Sequence, residues 1–220
     1  MKLRTILLLT AISGIFISSV QAAKPVQLFN GKNLAGWQFY LDKHAVAKKD
    51  VWSVKDGLLV CKGEPLGYLY TVKTYESFKL VVEWRWAPGK EAGNSGVLMR
   101  IGGEPRPLPK CFEAQLKSGN AGAAYGFHGL SIDGAADRKI ERESDFTGLM
   151  KGVNKIKANE KPVGEWNRYE IVFDGPDLTL WVNGEKVNEA TACDVMPGHL
   201  GLQSEGGEIH FRKVELTPLD

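Results

Sequence analysis

From Phe78 to Trp86 the chain alternates: Phe78, Leu80, Val82, Trp84 and Trp86 fall on one face, and Lys79, Val81, Glu83 and Arg85 on the other. Successive side chains of a strand point to opposite faces, so a period of two predicts a half-buried β-strand. The same period recurs over residues 95–101, 110–117, 199–205 and 208–214, and around Tyr169, Ile171 and Phe173. Leu178, Leu180 and Val182 run into Asn183-Gly184, and residues 51–54 run into Asp56-Gly57 ahead of 58–60. Asn-Gly and Asp-Gly between such runs predict two-residue hairpins, because both turn positions want positive φ. No stretch keeps a 3.6-residue apolar period for three turns, so no long helix is expected. Residues 118–162, rich in Gly, Ala, Lys and Asp, break the alternation and are expected to form a long loop, functional or disordered. Many short strands at hairpin spacing, without repeat or linker, predict an all-β, single-domain antiparallel sandwich or jelly roll.

Composition narrows the class. The 220 residues, 43% hydrophobic and 25% charged, suffice for one buried core and exclude a disordered tail or a coiled coil. Lys2 and Arg4 precede an apolar stretch from Ile6 to Ile17, and Val20 and Ala22 suit the small-residue positions before a signal-peptidase cut. Residues 1–22 are therefore read as a cleaved signal peptide and 23–220 as one exported domain, periplasmic or secreted. The apolar run is shorter than the roughly 20 residues a membrane span needs, and no Cys follows it to carry a lipid. Loss of Lys2 and Arg4 leaves 26 basic against 26 acidic residues. A neutral chain with no basic run argues against nucleic-acid or anionic-membrane partners. Cys61, Cys111 and Cys193 allow one disulfide with one thiol left over, not a disulfide framework.

Strand parity also sorts the polar residues. Glu83 and Arg85, Arg100, Glu113 and Gln115, Gln203 and Glu205, and Arg212 each lie opposite an apolar face. If these faces belong to one sheet, it gathers carboxylates, amides and guanidiniums, planar groups suited to bidentate hydrogen bonds with polyols. The competing reading is a solvated outer surface, with Arg212 and Glu83 as a structural ion pair and Gln203 satisfying backbone at a strand end. His44, His199 and His210 read as surface histidines. Trp84 and Trp86 read as core, and Trp37 and Trp166 as packing residues placed to flank a sugar ring.

The ordered motifs resemble one family. They comprise the block from Asp50-Val51-Trp52 to Glu83-Trp84-Arg85-Trp86, Asn94-Ser95-Gly96-Val97-Leu98-Met99-Arg100, Glu113-Ala114-Gln115-Leu116, Gly164-Glu165-Trp166-Asn167 and Gly201-Leu202-Gln203-Ser204-Glu205-Gly206-Gly207. From Leu28 to Leu216 the chain is similar to the 3-keto-disaccharide hydrolase domain family. His210 and Lys213 depart from it, standing where the family commonly has Glu and Asn, and the loop Ala121–Ile132 differs as well. The resemblance implies a concanavalin A-like jelly roll of two antiparallel sheets. It also implies cleavage of glycosides whose sugar carries a ketone at C3.

Such a ketone acidifies the C2 hydrogen, so the C1 substituent leaves by β-elimination and water adds back. The chemistry needs a base near C2, a positive or hydrogen-bonding group at the C3 oxygen, and an acid for the leaving oxygen. Glu113, Glu83 and Glu205 are candidate acids or bases, and His128 a candidate proton shuttle. Arg85, Arg100 and Arg212 are candidates to hold the enolate oxygen, with Asn94, Gln115 and Gln203 as further substrate contacts. A divalent cation held by carboxylate and imidazole is the alternative electrophile, but no two His have metal-ligand spacing. The carboxylate run Glu-x-Asp-x-x-Glu of ordinary glycosidases on this fold is absent from the sequence. A non-catalytic carbohydrate-binding module is the alternative function, and an inert interaction domain a third.

Overall fold

The alternation seen in the sequence becomes strands wherever one face can be buried. Residues 23–219 are described by the structure, a computed structural model, and the segment 1–22, read above as a signal peptide, lies outside them. In chain order the first elements are β1 (Val26–Gln27), β2 (Trp37–Leu41), the single helical turn α1 (Lys48–Val51), β3 (Trp52–Lys55), β4 (Leu58–Cys61), β5 (Gly67–Tyr75) and β6 (Phe78–Trp86). Next come β7 (Gly96–Gly102), β8 (Lys110–Gln115), β9 (Ala124–Gly126), β10 (Lys139–Ser144) and β11 (Gly148–Val153). The chain closes with β12 (Asn167–Asp174), β13 (Asp177–Val182), β14 (Glu185–Ala190), β15 (Gly198–Ser204) and β16 (Ile209–Pro218).

The strands form two antiparallel sheets. The first runs β14-β13-β12-β6-β16-β4-β3, with β1 also on β16; the second runs β10-β11-β9-β8-β7-β15-β5-β2. Both predicted hairpins form, with positive φ at Asn183 and Gly184 (52° and 82°) and at Asp56 and Gly57 (50° and 76°). Between the sheets lies one core. The first sheet contributes Leu80, Trp84, Ile171 and Phe211, and the second Leu69, Val97, Phe112 and Leu202. A smaller apolar cluster (Tyr68, Leu98, Ile101, Leu108, Cys111, Phe127) covers part of the second sheet's outer face.

Two expectations change here. Residues 118–162 are not one loop: β9, β10 and β11 extend the second sheet within them. The sequence Lys139-Ile-Glu-Arg-Glu-Ser144 of β10 shows no apolar face because the strand is an edge exposed along most of its length. Nor is there a disulfide, since Cys61, Cys111 and Cys193 are separate buried thiols. No helix among the described residues is long and apolar enough to cross a membrane.

Candidate active site

β8 places Phe112 and Ala114 in the core, so Cys111, Glu113 and Gln115 face outward from the second sheet. In register, Glu113 lies opposite Leu98 of β7 and Tyr125 of β9. β15 repeats the pattern, with Leu200 and Leu202 in the core and Gln203 turned to the outer face. Glu113, Gln115, Gln203, Glu205, Asn94 and Tyr125 converge on a cavity of about 140 Å³. The hairpin of β10 and β11 supplies Phe146, Thr147 and Met150 to its rim. Hydrogen bonds hold the floor together: Ser95 Oγ donates to Gln203 O (2.8 Å), and Asn94 N donates to Gly206 O (2.9 Å).

Glu113 is 2% exposed. Burial, and then the charge of Glu205, hold its carboxyl well above the usual carboxylate range. Burial also raises Glu205, but Asn94, Lys117 and Gln203 oppose the shift by stabilising its ionised form. The pair is thus split, with Glu113 the neutral acid and Glu205 the group that ionises first. Asn94 Oδ1, Glu113 Oε1 and Gln203 Oε1 are buried acceptors without a hydrogen-bond partner. Three orphaned acceptors around one cavity are costly unless a ligand brings donors, as a polyol does. Gln115 differs: its Oε1 accepts from Leu116 N and Lys117 N (2.8 and 2.7 Å), so only its amide hydrogens remain for a ligand.

Tyr125 was not among the sequence candidates. Lys155 Nζ donates to Asn120 Oδ1 (2.8 Å), and Asn120 Nδ2 donates to the Tyr125 hydroxyl (3.2 Å). The phenol oxygen is therefore an acceptor in that bond, and its hydrogen has no acceptor among the described residues. The signal that would have found Tyr125 is the alternation Ala124-Tyr125-Gly126, too short to read as a strand without its neighbours.

The other candidates lie elsewhere. Glu83, Arg85 and Arg212 occupy the outer face of the first sheet, because β6 and β16 pair with each other there. Glu83 accepts from Arg212 Nε (2.5 Å) and Arg168 Nη1 (3.2 Å). Burial pushes its carboxyl up, but the two guanidiniums outweigh burial and hold it below the usual range. The guanidiniums of Arg85 and Arg212 both pack over the Trp166 ring, at 4.6 and 4.5 Å from its centroid. Trp37 is buried in the core.

Arg100 breaks parity. A bulge with φ +52° at this residue turns its side chain inward and sends Ile101 to the outer cluster with Leu98. Fully buried, the Arg100 guanidinium donates to the carbonyls of Glu76 (2.9 and 2.8 Å), Asp194 (2.7 Å) and Gly175 (2.7 Å). His128 is also committed. Its Nε2 donates to Leu108 O (2.9 Å) and its Nδ1 accepts from Arg106 (3.2 Å). Burial lowers its pKa and the Leu108 bond opposes this, while Arg106 and Lys110 add to the fall. Among the described residues no group of three or more His, Cys, Asp or Glu is arranged to hold a metal.

A two-sheet antiparallel sandwich with carboxylates and amides in a cavity on one outer face places the chain among jelly-roll domains. It belongs to the 3-keto-alpha-glucoside-1,2-lyase-like domain family, whose model matches residues 24–217. The chain is 24% identical to a 3-keto-disaccharide hydrolase of Bacteroides thetaiotaomicron, over 91% of this chain and 80% of that protein. Its fold is similar to that of a putative glycosyl hydrolase from Parabacteroides distasonis (TM-score 0.64, 21% identity, 89% of this chain and 94% of that one). It is similar also to the Bacillus licheniformis beta-glucanase (TM-score 0.60, 14% identity, 91% and 100%) and to a carbohydrate-binding module from Bacillus subtilis (TM-score 0.60, 11%, 83% and 95%).

Proposed function

We propose that this protein cleaves 3-keto-glycosides by elimination and hydration at the Glu113–Glu205 cavity. The observation that carries the reading is the buried carboxylate pair, split in protonation and surrounded by unpartnered acceptors. A module that only binds sugar has no need to bury Glu113 beside a second carboxylate at the cost of desolvating it.

In this scheme Glu205 takes the proton from C2, and the C–H electron pair moves to form the C2–C3 double bond of an enolate. Protonated Glu113 and the Tyr125 hydroxyl donate hydrogen bonds to the C3 oxygen as its charge grows. The enolate then reforms the ketone, a C1–C2 double bond forms, and the C1–O bond breaks. The departing oxygen keeps that bond's electron pair and receives the proton from Glu205. Water next adds its oxygen to C1 and a proton to C2, with Glu205 carrying the proton, for net hydrolysis. Neutral donors do here what the arginines were expected to do. The segment 1–22 makes the enzyme an exported one in this reading, which N-terminal sequencing of the mature protein tests.

The test is to incubate the purified protein with a 3-keto-glucoside and with its unoxidised parent, and to follow release of the leaving group. Cleavage of the keto form alone, lost in Glu205→Gln, is the expected result. Cleavage of the parent identifies an ordinary glycosidase, and sugar binding without cleavage identifies a binding module.

A further inference from the structure

A second cavity adjoins the first. Glu205 lines both the 140 Å³ cavity and a groove of about 660 Å³ at the same end of the second sheet. The groove lies between residues 42–46, which follow β2, and the turn 63–66, which precedes β5. One hydrogen bond joins its walls, Asp42 N to Leu66 O (2.8 Å), and two tie the turn to the end of β15, Gly206 N to Gly63 O (2.6 Å) and Ser204 Oγ to Pro65 O (2.9 Å). Half-buried Val46, Pro65 and Leu66 give it an apolar surface, while Asp42 and Glu64 outnumber Lys43 among the exposed charges.

We propose that this groove binds the leaving half of the substrate as a neutral sugar or polyol ring, and that its charge rejects anionic leaving groups. The inference rests on the catalytic reading above. The smaller cavity holds the carboxylate pair but has no room for two rings, whereas pockets that enclose a whole small-molecule ligand run to about 300–1,000 Å³. A glycoside with its keto sugar against Glu113 extends past Glu205 into the groove, which places the scissile bond at the shared carboxylate. Apolar patches suit the C–H faces of a sugar ring, and a uronate or sulfate meets Asp42 and Glu64.

The experiment compares a methyl 3-keto-glucoside, a 3-keto-disaccharide with glucose as leaving sugar, and the same disaccharide with glucuronate in that position. The wild type is expected to show kcat/KM at least about tenfold higher for the glucose disaccharide than for either other substrate. Leu66→Trp, which fills the groove, should remove that advantage while leaving turnover of the methyl glycoside unchanged. Glu64→Lys, at an exposed position, should raise turnover of the glucuronate substrate severalfold relative to the glucose one. Equal wild-type values for methyl and glucose substrates, or equal losses on both in Leu66→Trp, overturn the proposal. If the wild type cleaves none of the three, the catalytic reading fails. Calorimetric binding then decides the groove: disaccharide binding weakened by Leu66→Trp supports it, and binding insensitive to that change overturns it.

Discussion

Gly96 determines whether Glu113 can occupy its position, and Gly96→Ala tests this. A Cβ built on Gly96 falls 2.0 Å from Glu113 Oε1, 2.7 Å from Cδ and 2.8 Å from Cγ. Restoring an ordinary 3.4 Å contact moves the carboxyl oxygen by about 1.4 Å. The adjoining 140 Å³ cavity can take up part of that shift and packed neighbours the rest, so the stability cost is at most that of overpacking, about 1–3 kcal/mol. In a domain of this size each kcal/mol lowers Tm by roughly 2–4 °C. A misplacement of about 1 Å in a catalytic group costs ~100-fold in rate, so kcat/KM on a 3-keto-glucoside should fall by that factor in a protein that still folds. The assay is steady-state release of the leaving group, with thermal denaturation alongside. A double-mutant cycle with Glu113→Ala removes ambiguity: if Gly96→Ala acts through Glu113, it adds no further loss in that background. A Gly96→Ala enzyme within about threefold of wild type, or losses that add in the double variant, would refute the reasoning.

The pH dependence follows from the split pair. The rate should rise as Glu205 ionises and fall as Glu113 gives up its proton, and Glu113→Gln, which retains a hydrogen-bond donor, should lose the alkaline limb of the kcat profile. Because the folded pKa of Glu113 lies above its unfolded value, its contribution to stability is complete below the ordinary carboxylate range and is lost as pH rises towards the folded value; denaturant titrations of Glu113→Gln should show that slope removed. Arg100→Met should destabilise the fold by about 3 kcal/mol, since it removes a fully buried guanidinium and its hydrogen bonds to three backbone carbonyls, with kcat of the folded fraction unchanged. Asn120→Ala should lower kcat about tenfold at constant KM by releasing the Tyr125 hydroxyl, and should cost nothing further in Tyr125→Phe.

About half of the candidate site was legible along the chain. Asn94, Glu113, Gln115, Gln203 and Glu205 come together because β7, β8 and β15 are neighbours, and alternation within β8 and β15 correctly assigns their outward side chains. Glu83, Arg85 and Arg212 satisfy the same local rule and serve a different surface. Tyr125 and the rim hairpin went unread, since a three-residue strand and an exposed edge carry no periodic signal.

What the sequence by itself determined is therefore local: the strands, the Asn-Gly and Asp-Gly turns, and which side chains share a face within one strand. Those features depend on backbone geometry and on burying one face, both of which act over a few residues. Tertiary structure alone decided which strands lie side by side, and so which polar faces meet. It also decided where the ladder breaks. At Arg100, three carbonyls contributed by distant segments reward an inward guanidinium, and the bulge that permits this reverses the parity of every later residue in β7. The protonation of Glu113 belongs to the same level, because its burial comes from neighbouring strands and loops and the opposing charge from Glu205, at the end of a strand 85 residues further on that lies two places away in the sheet.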